Sequence, residues 1–117
     1  MATVTLTADS FDDVAQGEGI VLVDFWAAWC GPCRRFAPVF EKSAGKHEDI
    51  TFAKVDTEAE PELAERFKIA SIPTLMAIRD GVIVFAEPGA LPEQVLENVI
   101  EQVRGLDMDD VRSRIGA

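Results

Sequence analysis

Two cysteines, Cys30 and Cys33, stand two residues apart within Trp29-Cys30-Gly31-Pro32-Cys33. A loop that short restrains an unfolded chain far less than a long cross-link, so a bond between them serves chemistry more than stability. That chemistry is thiol–disulfide exchange. The pair sits where an apolar strand pattern gives way to a helical one. Cys30 is therefore just ahead of unsatisfied backbone N–H groups and the positive end of a helix dipole. Both favour the thiolate, which is the attacking species in exchange, and Cys30 reads as the nucleophile. Cys33, one helical turn later, is near enough to attack a mixed disulfide formed by Cys30, releasing the reduced target and closing the Cys30–Cys33 bond. Pro32 suits a first helical turn because it needs no N–H partner there. Gly31 removes a side chain that would crowd an incoming substrate.

Other chemistry-bearing residues lie close by in sequence. Asp24 interrupts an apolar run, where desolvation should raise its pKa and allow proton transfer near neutrality; the bland reading is a carboxylate that only bonds a loop. Arg34 and Arg35 fall in the first turn of the helix, where positive charge opposes the dipole. They could favour the Cys30 thiolate and attract acidic partners, or simply form a solvated face. Trp26 reads as a core aromatic and Trp29 as a partly exposed contact surface. His47 has no partner in sequence and reads as an exposed loop residue rather than a general base. Structural zinc usually takes four Cys or His ligands, whereas this chain offers one cysteine pair and His47. Arg34 in place of His after Cys33 excludes the haem-attachment pattern.

The elements that must hold these residues follow from periodicity. Val4 to Thr7 alternates weakly like an edge strand, and Asp9 with Asp12 resembles a helix N-terminus leading to Phe11 and Val14, stopped by Gly17-Glu18-Gly19. Ile20 to Ala27 is a near-continuous β-branched and aromatic run, as expected of a strand buried on both faces. From Cys33 to about Ala44 the apolar residues Phe36, Val39 and Phe40 recur at helical spacing, with Pro38 as a kink and Gly45 as the end. Ile50 to Val55 reads as a second central strand, and Pro61 to Lys68 as a helix with Pro in its first turn. This β-α-β order implies parallel pairing. Thr74 to Ile78 and Val82 to Phe85 are joined by Asp80-Gly81, a two-residue hairpin signal, so the sheet is mixed. A last helix starts near Pro92 with the stripe Val95, Leu96, Val99, Ile100 and Val103. The sum is a three-layer α/β/α sandwich with about five strands and four helices. Residues 1–104 form the domain. Residues 105–117 form an extension in which Met108, Val111 and Ile115 suggest a short amphipathic helix that packs on the domain, mediates self-association or frays, with packing or fraying ranked first.

The segment Phe25-Trp26-Ala27-Ala28-Trp29-Cys30-Gly31-Pro32-Cys33, together with Ile72-Pro73-Thr74 and Gly89-Ala90-Leu91, resembles bacterial thioredoxin over about residues 3 to 104. An isolated Cys-x-x-Cys is weak evidence, but this aromatic-flanked version followed by the Ile-Pro-Thr turn is specific. The resemblance implies the thioredoxin fold and a cis peptide at Pro73 facing the disulfide. It implies a groove for an extended substrate segment bordered by Trp29, Ile72, Pro73, Gly89 and Ala90. It makes Asp24 the buried carboxylate that, directly or through water, accepts the proton of Cys33, with Lys54 near it on the neighbouring strand and able to tune it. For Lys54 the alternative is a solvated or snorkelling side chain. The chain departs from the family at Pro88, where an amide-bearing residue is usual and a backbone donor is lost. The resemblance also implies a protein-disulfide reductase that binds no cofactor and is recharged by thioredoxin reductase, a flavoenzyme using NADPH, so FAD and NADPH belong to that partner.

Composition narrows the classes further. The 117 residues fit one ordinary domain, and 48% hydrophobic with 27% charged residues is a globular balance. Eleven Lys and Arg against 21 Asp and Glu give a net charge of -10, a field that repels nucleic acid and anionic membrane surfaces. The start at Met1 lacks a basic flank and apolar stretch, which points to a cytoplasmic protein in a reducing compartment, and a monomer is expected. The rival reading from a different class is a non-catalytic thioredoxin-like binding subunit or chaperone platform, against which the intact cysteines argue. Within enzymes the rival is an oxidase or isomerase, but Gly31-Pro32 resembles the reductant members.

Overall fold

The computed structural model describes residues 2–115. Met1, where the expected start without a leader falls, and residues 116 and 117 of the expected extension lie outside the described residues. The elements in chain order are β1 (Thr3–Thr5), α1 (Phe11–Ala15), β2 (Ile20–Trp26), α2 (Gly31–Lys46), β3 (Thr51–Asp56), α3 (Pro61–Arg66), β4 (Thr74–Arg79), β5 (Val82–Pro88), α4 (Glu93–Arg104) and α5 (Met108–Ile115). The strands form one sheet in the order β1-β3-β2-β4-β5. The pairs β1–β3 and β3–β2 are parallel, while β4 runs antiparallel to both β2 and β5. The expected mixed five-stranded sheet is present. The helix beyond the expected four is α5, in the extension.

Period-2 alternation in β2 divides the core into two layers. Ile20 and Leu22 point to the face covered by Phe36 and Phe40 of α2 and by Leu96 and Ile100 of α4. Val21, Val23 and Phe25 point to the opposite face, under Phe11 of α1 and Leu63 of α3. Each fully buried Phe, Leu or Ile contributes about 1.5–3 kcal/mol, so the two layers hold β2 from both sides. Asp24 shares the α2 face with Leu22, which sets a carboxylate under the start of that helix. The β4–β5 turn takes positive φ at both Asp80 (50°) and Gly81 (82°), as a tight hairpin of this hand requires.

Several expectations are corrected at element ends. Ser10, not Asp9, stands at the N-cap of α1, and Asp12 instead forms a two-bond ion pair with Arg66, at 2.8 and 3.2 Å. Helix α2 begins at Gly31 and runs through Gly45 to Lys46, because tertiary packing of Ser43 and Ala44 carries it past a residue of low propensity. Val95 leaves the α4 stripe, being 41% exposed. His47 is half-buried, not a free loop residue: its Nε2 lies 2.7 Å from Glu97 Oε1 and its Nδ1 3.1 Å from Arg104 Nη2. Those partners lie some fifty residues away, beyond the reach of local pattern. Arg79 donates to the carbonyls of Val103 (2.8 Å), Arg104 (3.1 Å) and Leu106 (2.7 Å), closing the C-terminal end of α4. The segment that follows is anchored by Met108, which is buried, and by Arg112, whose Nη2 lies 3.9 Å from Asp80.

Candidate active site

The C-terminal end of β2 delivers the chain into α2, and Cys30 is the N-cap of that helix, with extended backbone. Its sulfur accepts the Cys33 N–H at 3.2 Å, satisfying one of the helix's orphan donors. Cys30 and Cys33 are joined as a disulfide with Cα atoms 5.2 Å apart. Pro32 occupies the first helical turn, exposed, where no N–H is missed. Both cysteines are buried, at 4% and 3% exposure, in a small cluster with Ala27 against which Trp26 and Ile72 pack. The Ile72 carbonyl oxygen lies 3.6 Å from Cys30 Sγ. Only a narrow edge of the disulfide is open to an approaching sulfur, and Trp29, 67% exposed, stands beside it.

The Ile72–Pro73 peptide is cis, and Pro73 is buried. The Gly89 N–H donates to the Pro73 carbonyl at 2.8 Å. Gly89 adopts φ +117°, where L side chains are strained, so glycine is what lets the chain turn back there. That bond makes up locally for Pro88, which pairs with Thr74 in the β4–β5 ladder but offers no N–H. Ala90 follows as an exposed residue. The structure thus brings Cys30, Cys33, Ile72, Pro73 and Gly89 together at one end of the sheet.

Asp24 is fully buried, and neither carboxylate oxygen has a hydrogen-bond partner. Burial pushes its pKa from 3.8 up to about 7, against the pull of Lys54 in the opposite direction. Lys54 is opposite Asp24 in the β2–β3 register. Its Nζ sits 5.2 Å from the centre of the Trp26 ring, close enough for a cation–π contact. Trp26 is therefore only in part the core aromatic expected, and it also carries a charge on its face. Alternation along β2 holds the signal, since Asp24 and Trp26 point the same way. A cavity of about 250 Å³ lies between these residues and the start of α2, lined by Trp26, Cys33, Arg34 and Lys54 among others. Arg34 reaches back to donate to the Ala28 carbonyl at 2.8 Å. Among the described residues, no group of three or more His, Cys, Asp or Glu side chains is arranged to hold a metal ion.

A dithiol at a helix N-terminus, faced by a cis-proline turn on a mixed sheet, defines a thiol–disulfide exchange domain. The family model described as Thioredoxin matches residues 2–102, and the chain belongs to the thioredoxin family. A relative from Streptomyces coelicolor, described as a putative thioredoxin 2, is 57% identical over 114 residues, spanning 97% of this chain and 85% of the relative. A thioredoxin from Alicyclobacillus acidocaldarius is 47% identical over 103 residues, spanning 87% of this chain and 98% of its own. Among solved structures, the Malassezia sympodialis thioredoxin Mala s 13 matches with a TM-score of 0.78 and 32% identity, over 86% of this chain and 91% of that one. The chain is a protein-disulfide oxidoreductase that works by dithiol–disulfide exchange through a redox-active cysteine pair.

Proposed function

We propose that Cys30 is the attacking thiolate and Cys33 the resolving thiol of a reductase. The observation that carries this is the Cys30 sulfur at the N-cap of α2, accepting the Cys33 N–H, where the helix dipole favours negative charge. Reduced Cys30 attacks a target disulfide, forming a mixed disulfide and expelling one target thiolate. Cys33 gives its proton to the Asp24 carboxylate, directly or through water, and attacks the Cys30 sulfur. The Cys30–Cys33 bond closes, the second target thiolate leaves, and two electrons have passed to the target. A carboxyl titrating at about 7 is matched to that transfer near neutrality. Lys54, held on the Trp26 face, tunes it as a positioning residue.

The target segment lies extended between Trp29 and the Ile72, Pro73, Gly89, Ala90 wall, while Gly31 and Pro32 keep the approach to Cys30 clear. Thioredoxin reductase recharges the disulfide with NADPH electrons passed through its FAD, and the protein needs no cofactor of its own. It acts as a monomer in the cytoplasm. No helix of the described residues is long and apolar enough to cross a membrane. The test is NADPH consumption with thioredoxin reductase and a protein disulfide substrate. Rapid turnover lost in Cys30→Ser supports the reading; turnover that survives in Cys30→Ser, or none although the thiols are free, overturns it.

A further inference from the structure

The chain carries 21 acidic side chains against 11 Lys and Arg, so a basic side chain left without a carboxylate runs against the composition. Among the described residues, the cations that form no ion pair are Arg34, Arg35, Lys54 and Lys68, while every other Lys and Arg reaches an Asp or Glu. All four belong to the end of the sheet that carries the dithiol. Arg34 and Lys54 line the cavity beside Cys33. Arg35 lies over the first turn of α2 between the cysteines, its Nη1 3.6 Å from where a Cβ on Gly31 would be. Lys68 lines a cleft with Ser71, Thr74 and Pro88 on the far side of the cis-proline turn. Two partly exposed carboxylates near this end are engaged by backbone: Asp56 accepts from the N–H groups of Glu58 and Ala59, and Glu60 from that of Ala8.

Resting on the exchange chemistry assigned above, we infer that Arg34 and Arg35 determine specificity, favouring target disulfides flanked by Asp or Glu. Their guanidinium groups are held close to the dithiol segment, one tied to the Ala28 carbonyl two residues before Cys30 and the other over Gly31 just after it. Both are exposed and present free donors to a carboxylate on the bound segment. The net charge of -10 opposes such targets at a distance. At physiological ionic strength, however, that field is screened beyond about 8 Å, and the cations within contact range of the bound segment decide.

The test is single-turnover reduction of three peptides with the same cystine loop, flanked by two Asp, two Asn or two Lys. At 0.15 M salt the acidic peptide should react about tenfold faster than the basic one, and the ratio should approach one in 1 M salt, where screening sets in at about 3 Å. Arg34→Gln/Arg35→Gln should bring the ratio to within about twofold of one, and Arg34→Lys/Arg35→Lys should keep it. Because each ratio compares peptides on one protein, altered Cys30 reactivity cancels. A native ratio at or below one, a ratio unchanged in the Gln pair, or one lost in the Lys pair overturns the inference. If none of the three peptides is reduced, the exchange assignment fails and takes the inference with it.

Discussion

Replacing Asp24 by Asn separates the cost of burying this carboxylate from the shape of its side chain. In the fold the group keeps its proton up to about pH 7, against 3.8 for an ordinary aspartate. Below pH 3.8 both folded and unfolded chains hold the proton and ionisation costs nothing. Between 3.8 and 7 the folded chain holds a proton that the unfolded chain has released, so stability falls as pH rises. Above 7 the carboxylate is ionised in both states and the cost is complete. At about 1.4 kcal/mol per pH unit, that window corresponds to about 4 kcal/mol. An amide does not titrate, so the stability difference between Asp24→Asn and the native protein should be about 4 kcal/mol more favourable to the variant at pH 8.5 than at pH 3.5. Near the midpoint temperature this amounts to roughly 15 °C for a chain of this size. Guanidinium unfolding of both oxidised proteins at the two pH values measures it, since the disulfide removes the thiols from the titration. An advantage that does not change with pH would refute the buried, proton-holding carboxylate.

The same variant should slow resolution of the mixed disulfide at neutral pH more than at pH 9, where Cys33 ionises unaided; stopped-flow profiles with the same shape in both proteins would remove the base assignment. Arg79→Met should cost about 1.5–3 kcal/mol by freeing the α4 end carbonyls, with amide exchange fastest at residues 103 to 106. Truncation after Arg104 removes the buried Met108 and the Leu106 carbonyl that Arg79 holds. It should lower stability by about 1.5–3 kcal/mol, and an unchanged melting temperature would assign the extension no structural part.

The legible parts of the fold were those where one physical signal dominates. Ile20 to Ala27 reads as a doubly buried strand from its many consecutive β-branched and aromatic residues, and β2 ends one residue earlier, at Trp26; Asp80-Gly81 reads as a hairpin because positive φ at both positions selects those types. The cysteine spacing gave the exchange chemistry, and Asp24 stood out as a charge in an apolar run. What lay outside local pattern depended on long-range pairing. His47 meets Glu97 and Arg104 only after α2 and α4 pack together, and Arg79 finds the end of α4 only once the sheet has formed. The pairing of Lys54 with the Trp26 ring needs the β2–β3 register, which neither strand carries alone. Gly45 shows packing overriding propensity inside α2.

The division of labour between the two cysteines is tested most directly by mixing reduced Cys33→Ser protein with a disulfide peptide and locating the adduct by mass spectrometry. A stable one-to-one mixed disulfide on Cys30, absent from the native protein because Cys33 resolves it, is the predicted result. Continued release of reduced peptide by Cys33→Ser, or adduct formation by Cys30→Ser through Cys33, would contradict the assignment.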